Sequence, residues 1–262
     1  MNTLLAHIEA CDITFMHSAD DRPDGADFPP HIHNTYELYT FVEGSADYTV
    51  EDEMYTLRPY DMLLIRPSQF HCLHLKAAKP YRRMVFHFPA ESVLPETAPL
   101  LRQGGYFRPG RDGEIADRLY KLCDYAAKRD RSDAEALLPN ILSEILIDIK
   151  YLPPEPSETG IAGTAAAIAA FVNEHIREPL SVASVAERLY LSPSYVSHVF
   201  SAQYRMGLMQ FVRRKKVYEA EKLLKSGVRP VEAAETCGFN DYATFYRAYR
   251  QILGRTPKED GR

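Results

Sequence analysis

The 262-residue sequence lacks the long apolar run of a membrane protein. No segment approaches the roughly eighteen uncharged apolar residues that span a bilayer. The N-terminus also lacks a basic segment, and its apolar stretch carries His7, Glu9 and Asp12, so we expect no secretory signal peptide. The sequence therefore predicts a protein without membrane contact.

Cysteine is scarce, with four residues at positions 11, 72, 123 and 237. Their spacing contains no Cys-x-x-Cys pair, which argues against a disulfide framework and against a zinc cluster. A reducing cytoplasm is the simplest expectation for such a chain.

Excess positive charge is also missing overall, since the net charge is −5. The two parts of the chain differ, however. Residues 162–262 hold 15 Lys and Arg against 10 Asp and Glu, whereas residues 1–161 hold 16 against 26. This asymmetry favours contact between the C-terminal part and a polyanion, although a balance of +5 is also ordinary for a domain of this size.

Short strands are what residues 28–88 do contain. β-branched and aromatic residues concentrate at 38–42, 47–50, 62–65 and 83–88, with Gly44, Pro59 and Pro67 between them. Many short strands without a helical pattern between them predict an antiparallel sandwich or small barrel.

The period of the apolar residues then changes to that of helices. One stripe comprises Ile115, Leu119, Leu122 and Ala126, and a second comprises Leu138, Ile141, Leu142, Ile145 and Ile149. They predict a pair of amphipathic helices. The second stripe is expected either to form a dimer surface or to cover the barrel.

A proline-rich segment at 153–160 marks a linker, and helices follow it at 165–176, 182–189, 193–203, 209–224, 230–237 and 242–253. Their boundaries carry the usual signals. Ser181, Ser192 and Asp241 are expected at N-caps, Pro193 and Pro230 at the first helical position, and Gly227, Gly238 and Gly254 at helix ends.

One pattern occurs twice in this helical region. The first copy is Val185-Ala186, Leu191-Ser192, Val196 and Phe200; the second is Ala233-Ala234, Gly238-Phe239, Phe245 and Tyr249. Each copy predicts a short helix, a tight turn and a second helix with one apolar face, which is the helix-turn-helix plan. A plain helical bundle is the alternative, and the repetition favours DNA binding.

Residues 180–257 resemble the DNA-binding domain of the AraC/XylS family of transcription regulators. The resemblance rests on LSPSYVSHVF at 191–200, AEKLL at 220–224, GFND at 238–241 and GRTP at 254–257. Two positions depart from the family pattern. Arg205 stands where Gly is usual, so Gly207 is expected to supply the turn, and Lys216 stands where Arg is usual.

The resemblance implies that the second helix of each unit lies in a major groove. The positions that match the family's base-reading residues are Ser194, Ser197, His198, Tyr242, Ala243, Tyr246 and Arg247. Arg247 is the best candidate for guanine because its fork donates twice, whereas Tyr242 and Tyr246 have packing as an alternative role. The expected phosphate contacts are Ser192, Arg213, Arg214, Lys215, Arg250 and Lys258.

The first domain holds a histidine motif that resembles the metal motif of cupin barrels. Its residues are His31, His33, Glu37 and the distant His71. Side chains an even number of residues apart on a strand point the same way, so His31, His33 and Glu37 could share one interior. With the distant His71 they would suit a divalent metal such as iron, manganese, zinc or nickel. One alternative is a polar effector pocket formed by these residues together with Tyr39 and Tyr48. The other is that they are ordinary buried polar groups. Tyr60 stands where the second cupin motif expects Gly.

Together these patterns predict an α+β multidomain regulator and not an enzyme. Its parts are a cupin-like antiparallel β-barrel that senses an effector (1–110), a helical dimerisation pair (111–152), a linker (153–163) and an all-α tandem helix-turn-helix domain (164–262). The expected partners are promoter DNA, a second copy of the chain and, for an activator, RNA polymerase. The family resemblance implies a small effector such as a carbohydrate. The alternative is a metal-dependent cupin enzyme with an accessory helical domain.

Overall fold

The computed structural model describes residues 2–77, 79–128, 131–156, 159–160 and 163–261. The chain divides into two compact units. Unit 1 comprises Met1–Pro29, Asn34–Val50 and Met54–Thr159, and unit 2 comprises Pro30–His33, Glu51–Glu53 and Gly160–Arg262. Within these described ranges, no helix has both the length and the apolar content to cross a membrane.

Antiparallel strands form the framework of unit 1. They are β1 (Asn2–Ala10), β2 (Ile13–Asp20), β3 (Tyr36–Glu43), β4 (Ala46–Val50), β5 (Glu53–Thr56), β6 (Met62–Ile65), β7 (His71–Leu75), β8 (Tyr81–Phe88), β9 (Gly105–Phe107) and β10 (Thr159–Gly160). The first residue of β5 and the last residue of β10 are assigned to unit 2. One sheet has the order β1-β2-β8-β3-β6-β9 and the other β10-β5-β4-β7. The predicted antiparallel architecture is confirmed, but the described strands form two sheets and not one closed barrel.

The middle strands of the six-stranded sheet, β3, β6 and β8, are buried on both faces. Alternate residues of a strand point to opposite faces, and β3 follows this rule: Leu38 packs in one core and Tyr39 in another. In β8, Phe86 joins the core of Leu38, whereas Val85 joins the core of Tyr39, to which β4 and β7 also contribute. The face that carries Tyr39 is therefore the interior between the two sheets.

Helices cover the opposite face. They are α1 (Ala98–Gln103), α2 (Glu114–Lys128) and α3 (Arg131–Lys150), and both α2 and α3 contact β1. The stripe of Leu138, Ile141, Leu142, Ile145 and Ile149 is fully buried in the core beneath them. The prediction that this stripe forms a dimer surface is therefore wrong, because its apolar side chains already cover the sheet of their own chain.

The N-terminal hairpin of β1 and β2 was not predicted from the sequence. Ala10 pairs with Ile13, and the two residues between them, Cys11 and Asp12, have φ of 52° and 61°. A two-residue hairpin turn with both φ positive normally carries Asn-Gly or Asp-Gly. Cys-Asp at these positions gives no such signal.

Unit 2 is helical. Its helices are α4 (Thr164–Glu174), α5 (Val182–Arg188), α6 (Pro193–Tyr204), α7 (Leu208–Lys225), α8 (Pro230–Thr236), α9 (Tyr242–Leu253) and α10 (Pro257–Asp260). The first six lie within two residues of the predicted ranges. Ser181, Ser192 and Asp241 are N-caps, as predicted, because each side chain accepts a hydrogen bond from the backbone three residues later.

Candidate nucleic-acid interface and ligand-binding interior

The first helix-turn-helix unit consists of α5 and α6. Ala186 of α5 is buried, and its carbonyl accepts a hydrogen bond from Leu191 N at 2.8 Å. Between them Tyr190 takes a left-handed φ of 56°. Ser192 Oγ then caps α6 by accepting from Tyr195 N at 3.3 Å. The turn is thus closed by backbone bonds, and α6 starts at a fixed point.

The second unit, α8 and α9, repeats this construction. Ala234 O accepts from Phe239 N at 3.1 Å, and Gly238 has the left-handed φ, 65°. Asp241 caps α9 by accepting from Thr244 N at 2.7 Å and from Thr244 Oγ1 at 2.8 Å. These bonds favour the charged carboxylate and lower the pKa of Asp241.

The helix α7 joins the two units. Its Phe211 packs edge-on against Phe200 of α6, with ring centroids 5.2 Å apart. The prediction that Gly207 supplies the turn between α6 and α7 is wrong, because Gly207 has an extended conformation with φ of −70°. Arg205 instead ends α6 in the left-handed conformation, with φ of 52°. The departure from glycine is therefore accommodated by the arginine backbone itself.

The predicted reading residues of α6 lie on one solvent-exposed surface. Ser194, Ser197 and His198 are exposed, whereas Val196 and Phe200 are buried. The helix therefore packs by one face and presents the other, as a reading helix requires.

In α9 the predicted reading residues differ in exposure. Ala243 and Arg247 are exposed, and Arg247 Nη2 lies 3.2 Å from Thr244 Oγ1. Tyr242 and Tyr246 are half-buried, with ring centroids 6.3 Å apart. Both tyrosine side chains are therefore partly packed and partly exposed to solvent.

The predicted phosphate contacts are not equally accessible. Ser192, Arg213, Arg250 and Lys258 are exposed, and Arg214 is half-buried. Lys215 is buried, with 9% of its surface exposed, and its ammonium group pairs with Glu51 Oε1. A phosphate contact by Lys215 stays a prediction.

The GRTP segment anchors the end of the second unit. Arg255 donates through Nη2 to Glu221 Oε1 and through Nε to Asp260 Oδ2, both at 2.6 Å. Glu221 is 2% exposed, so the guanidinium neutralises a buried carboxylate of α7. Gly254 ends α9 with a left-handed φ of 72°. This segment, one of the four that carry the family resemblance, thus holds the end of the second unit against α7.

A polar cluster lies inside unit 1. Glu37 is buried, and its Oε2 lies 3.1 Å from His87 Nε2 and 3.4 Å from His71 Nε2. Tyr48 OH lies 3.5 Å from the other carboxylate oxygen. Three of the predicted effector residues therefore meet, together with His87, which was not predicted.

The remaining predicted tyrosine extends this cluster. Tyr39 OH lies 2.7 Å from Tyr81 OH, which in turn accepts from Arg83 Nη1 at 3.4 Å. Burial raises the pKa of Tyr39, Tyr48 and Tyr81, so all three hydroxyls stay protonated at neutral pH. Tyr81, Arg83 and His87 were missed. Arg83 and His87 lie at even steps from Val85 within the predicted strand 83–88, which places them on one face, whereas Tyr81 precedes that strand.

The four predicted metal ligands belong to different units. Glu37 and His71 lie in unit 1, whereas His31 and His33 lie in the segment Pro30–His33 of unit 2. The rings of these two histidines are 5.8 Å apart, with His31 exposed and His33 half-buried. A metal held by all four residues stays a prediction.

Both parts of the chain match known families. Residues 19–142 match the AraC-like ligand binding domain, and residues 185–262 match a helix-turn-helix domain. The chain belongs to the AraC family of transcription regulators. It is thus a DNA-binding regulator with a ligand-binding domain, and the alternative of a metal-dependent enzyme is wrong.

Relatives of this AraC-family chain cover most of its length. The arabinose operon regulatory protein of Salmonella typhimurium is 24% identical over 86% of this chain and 82% of its own. The Msm operon regulatory protein of Streptococcus mutans is 22% identical over 95% and 92%. The solved structure of unsaturated fatty acid-bound ToxT from Vibrio cholerae is 14% identical over 99% of this chain and 93% of its own, with a TM-score of 0.40.

Proposed function

We propose that α6 and α9 read promoter DNA and that a small polar effector inside unit 1 controls this binding. The observation that carries the effector proposal is the buried Glu37, with His71, His87 and Tyr48 around its carboxylate. A buried set of hydrogen-bonding groups between aromatic rings suits a polyhydroxylated ligand. The similarity to an arabinose operon regulator supports a carbohydrate.

Control requires that the effector bind two states of the protein with different affinity. We propose that the two states differ in how the DNA-binding helices engage promoter DNA, within a homodimer. The stripe on α3 is buried, so the dimer contact must use another surface. An activator would also contact RNA polymerase, and such a regulator acts in the bacterial cytoplasm.

The effector proposal is tested by melting the purified protein with individual sugars. A sugar at one hundred times its Kd adds about 2.7 kcal/mol, which should raise the Tm by about 5 °C. The Glu37→Gln and Tyr48→Phe variants should lose this shift. The matched control Glu43→Gln changes an exposed carboxylate of the same strand and should retain it.

A divalent metal is the alternative occupant, since Glu37 and His71 offer the oxygen and nitrogen ligands that such ions accept. Manganese, iron, zinc and nickel therefore form a second arm of the melting experiment. A carbohydrate effector is contradicted if every sugar leaves the Tm unchanged, or if Glu37→Gln melts cooperatively and keeps the full shift.

A further inference from the structure

Lys216 lies near the middle of α7 and is 5% exposed. Its ammonium group donates to two backbone carbonyls, those of Glu178 and Gly238, each at 2.7 Å. Glu178 precedes α5 in the first helix-turn-helix unit, whereas Gly238 is the turn of the second. One side chain of the connecting helix therefore binds both units.

The backbones of the two units also meet at this point. A Cβ atom on Gly238 would lie 2.3 Å from Arg177 O and 2.8 Å from Lys216 Nζ. Contacts this short are not compatible with any side chain, and the left-handed φ of Gly238 already favours glycine. The turn of the second unit is thus seated directly on the segment that leads into the first.

A lysine suits this junction because an ammonium group has three donors on a flexible stem and needs no planar partner. Its two acceptors come from separate segments, which an ammonium can reach in different directions. Burial lowers the pKa of Lys216, but the two carbonyls compensate for part of the lost hydration. The ammonium also lies 5.8 Å from the ring centroid of Phe239 in the second turn.

We propose that Lys216 is a positioning residue that fixes α6 and α9 relative to each other and thereby sets the spacing between the two DNA half-sites. Successive major grooves on one face of DNA are about 34 Å apart, and one added base pair both lengthens and rotates the site. A rigid pair of helices rejects such a change, whereas a loosened pair tolerates it. The inference rests on the proposed reading of DNA by both helices.

The test uses the full chain and a DNA duplex that the wild-type protein selects from a random pool. Affinity is measured for this duplex and for versions with one base pair inserted or deleted between the half-sites. We expect the wild type to prefer the selected spacing by about thirtyfold, from the roughly 1–3 kcal/mol that a lost base contact costs. Lys216→Met should reduce this preference to about threefold, and Lys216→Arg should restore most of it.

Lys222→Met is the matched control, since Lys222 lies on the same helix, is exposed and pairs with the neighbouring Glu219. It should keep the wild-type preference. Wild-type discrimination in a folded Lys216→Met protein overturns the inference, as does an equal loss of affinity for all spacings. If Lys216→Met does not fold, Lys216→Gln, which keeps one donor group, decides on the same criteria. Selection of a single half-site by the wild type contradicts the proposed function instead.

Discussion

The two helix-turn-helix units share their backbone bonds but differ in what surrounds the turn. Tyr190 in the first unit and Gly238 in the second hold the same left-handed conformation. Tyr190 is 97% exposed, whereas Gly238 is pressed against Arg177 O and Lys216. Of these two turns, the one that another segment packs against has glycine, and the open one accommodates tyrosine.

The capping residues add a second difference. Ser192 follows Tyr190 by two positions, whereas Asp241 follows Gly238 by three. The second turn is longer by Asn240, and its cap carries a charge. The first helices of the two units therefore share the same residue spacing, whereas the second helix starts one residue later in the second unit.

The largest difference between the units should come from the turn residues. Gly238→Ala should destabilise the protein by about 3 kcal/mol, because it adds left-handed strain and a clash with Arg177 O. Tyr190→Ala should change the free energy of unfolding by less than about 1 kcal/mol, because its side chain contacts mostly solvent. Calorimetry of both variants measures the contrast. Equal losses of unfolding free energy in the two variants would contradict the expectation that the exposed turn tolerates substitution.

The reading residues should show the next largest difference. Arg247→Ala should weaken binding to the selected DNA by about 1–3 kcal/mol, or about ten- to a hundredfold, and relax the preference for one base. His198→Ala should lose less, since an imidazole lacks the forked pair of donors. Gel-shift titrations measure both effects. The control Arg229→Ala removes an exposed arginine that pairs with Glu232; if it loses as much affinity as Arg247→Ala, the loss reflects charge and not reading.

The caps should give the smallest difference. Ser192→Ala should lower stability by about 1 kcal/mol at every pH, because a hydroxyl does not titrate. Asp241 has a lowered pKa in the folded state, so its contribution is present above the pKa of the unfolded chain and disappears as the pH falls through the folded value. The Tm deficit of Asp241→Ala should therefore shrink below about pH 4, as thermal melts at several pH values would show. A deficit that is constant down to acidic pH would contradict this assignment.

Local signals explain why so much of unit 2 was predictable. A cap such as Ser192 or a first-position proline such as Pro193 acts on its own helix, so the helix ends could be read from neighbouring residues. The strands at 38–42 and 83–88 were predictable for the same reason, since β-branched and aromatic residues favour a pleated surface.

Properties that depend on distant parts of the chain were harder to predict. The stripe on α3 marks burial but does not say whether its own sheet or a second chain buries it. Likewise, the helix pattern of α7 does not identify what covers Lys215, which is buried. By contrast, His87 could have been found, since alternation within β8 places it with Tyr81 on the inner face.

The exposed turn of the first unit also offers a spectroscopic handle. The chain contains no tryptophan, so Tyr190→Trp would create a single indole emitter against a background without any other. At this position the ring is almost fully solvated, and it stands directly before the helix proposed to enter the groove. Its fluorescence would report the docking of one reading helix separately from the other.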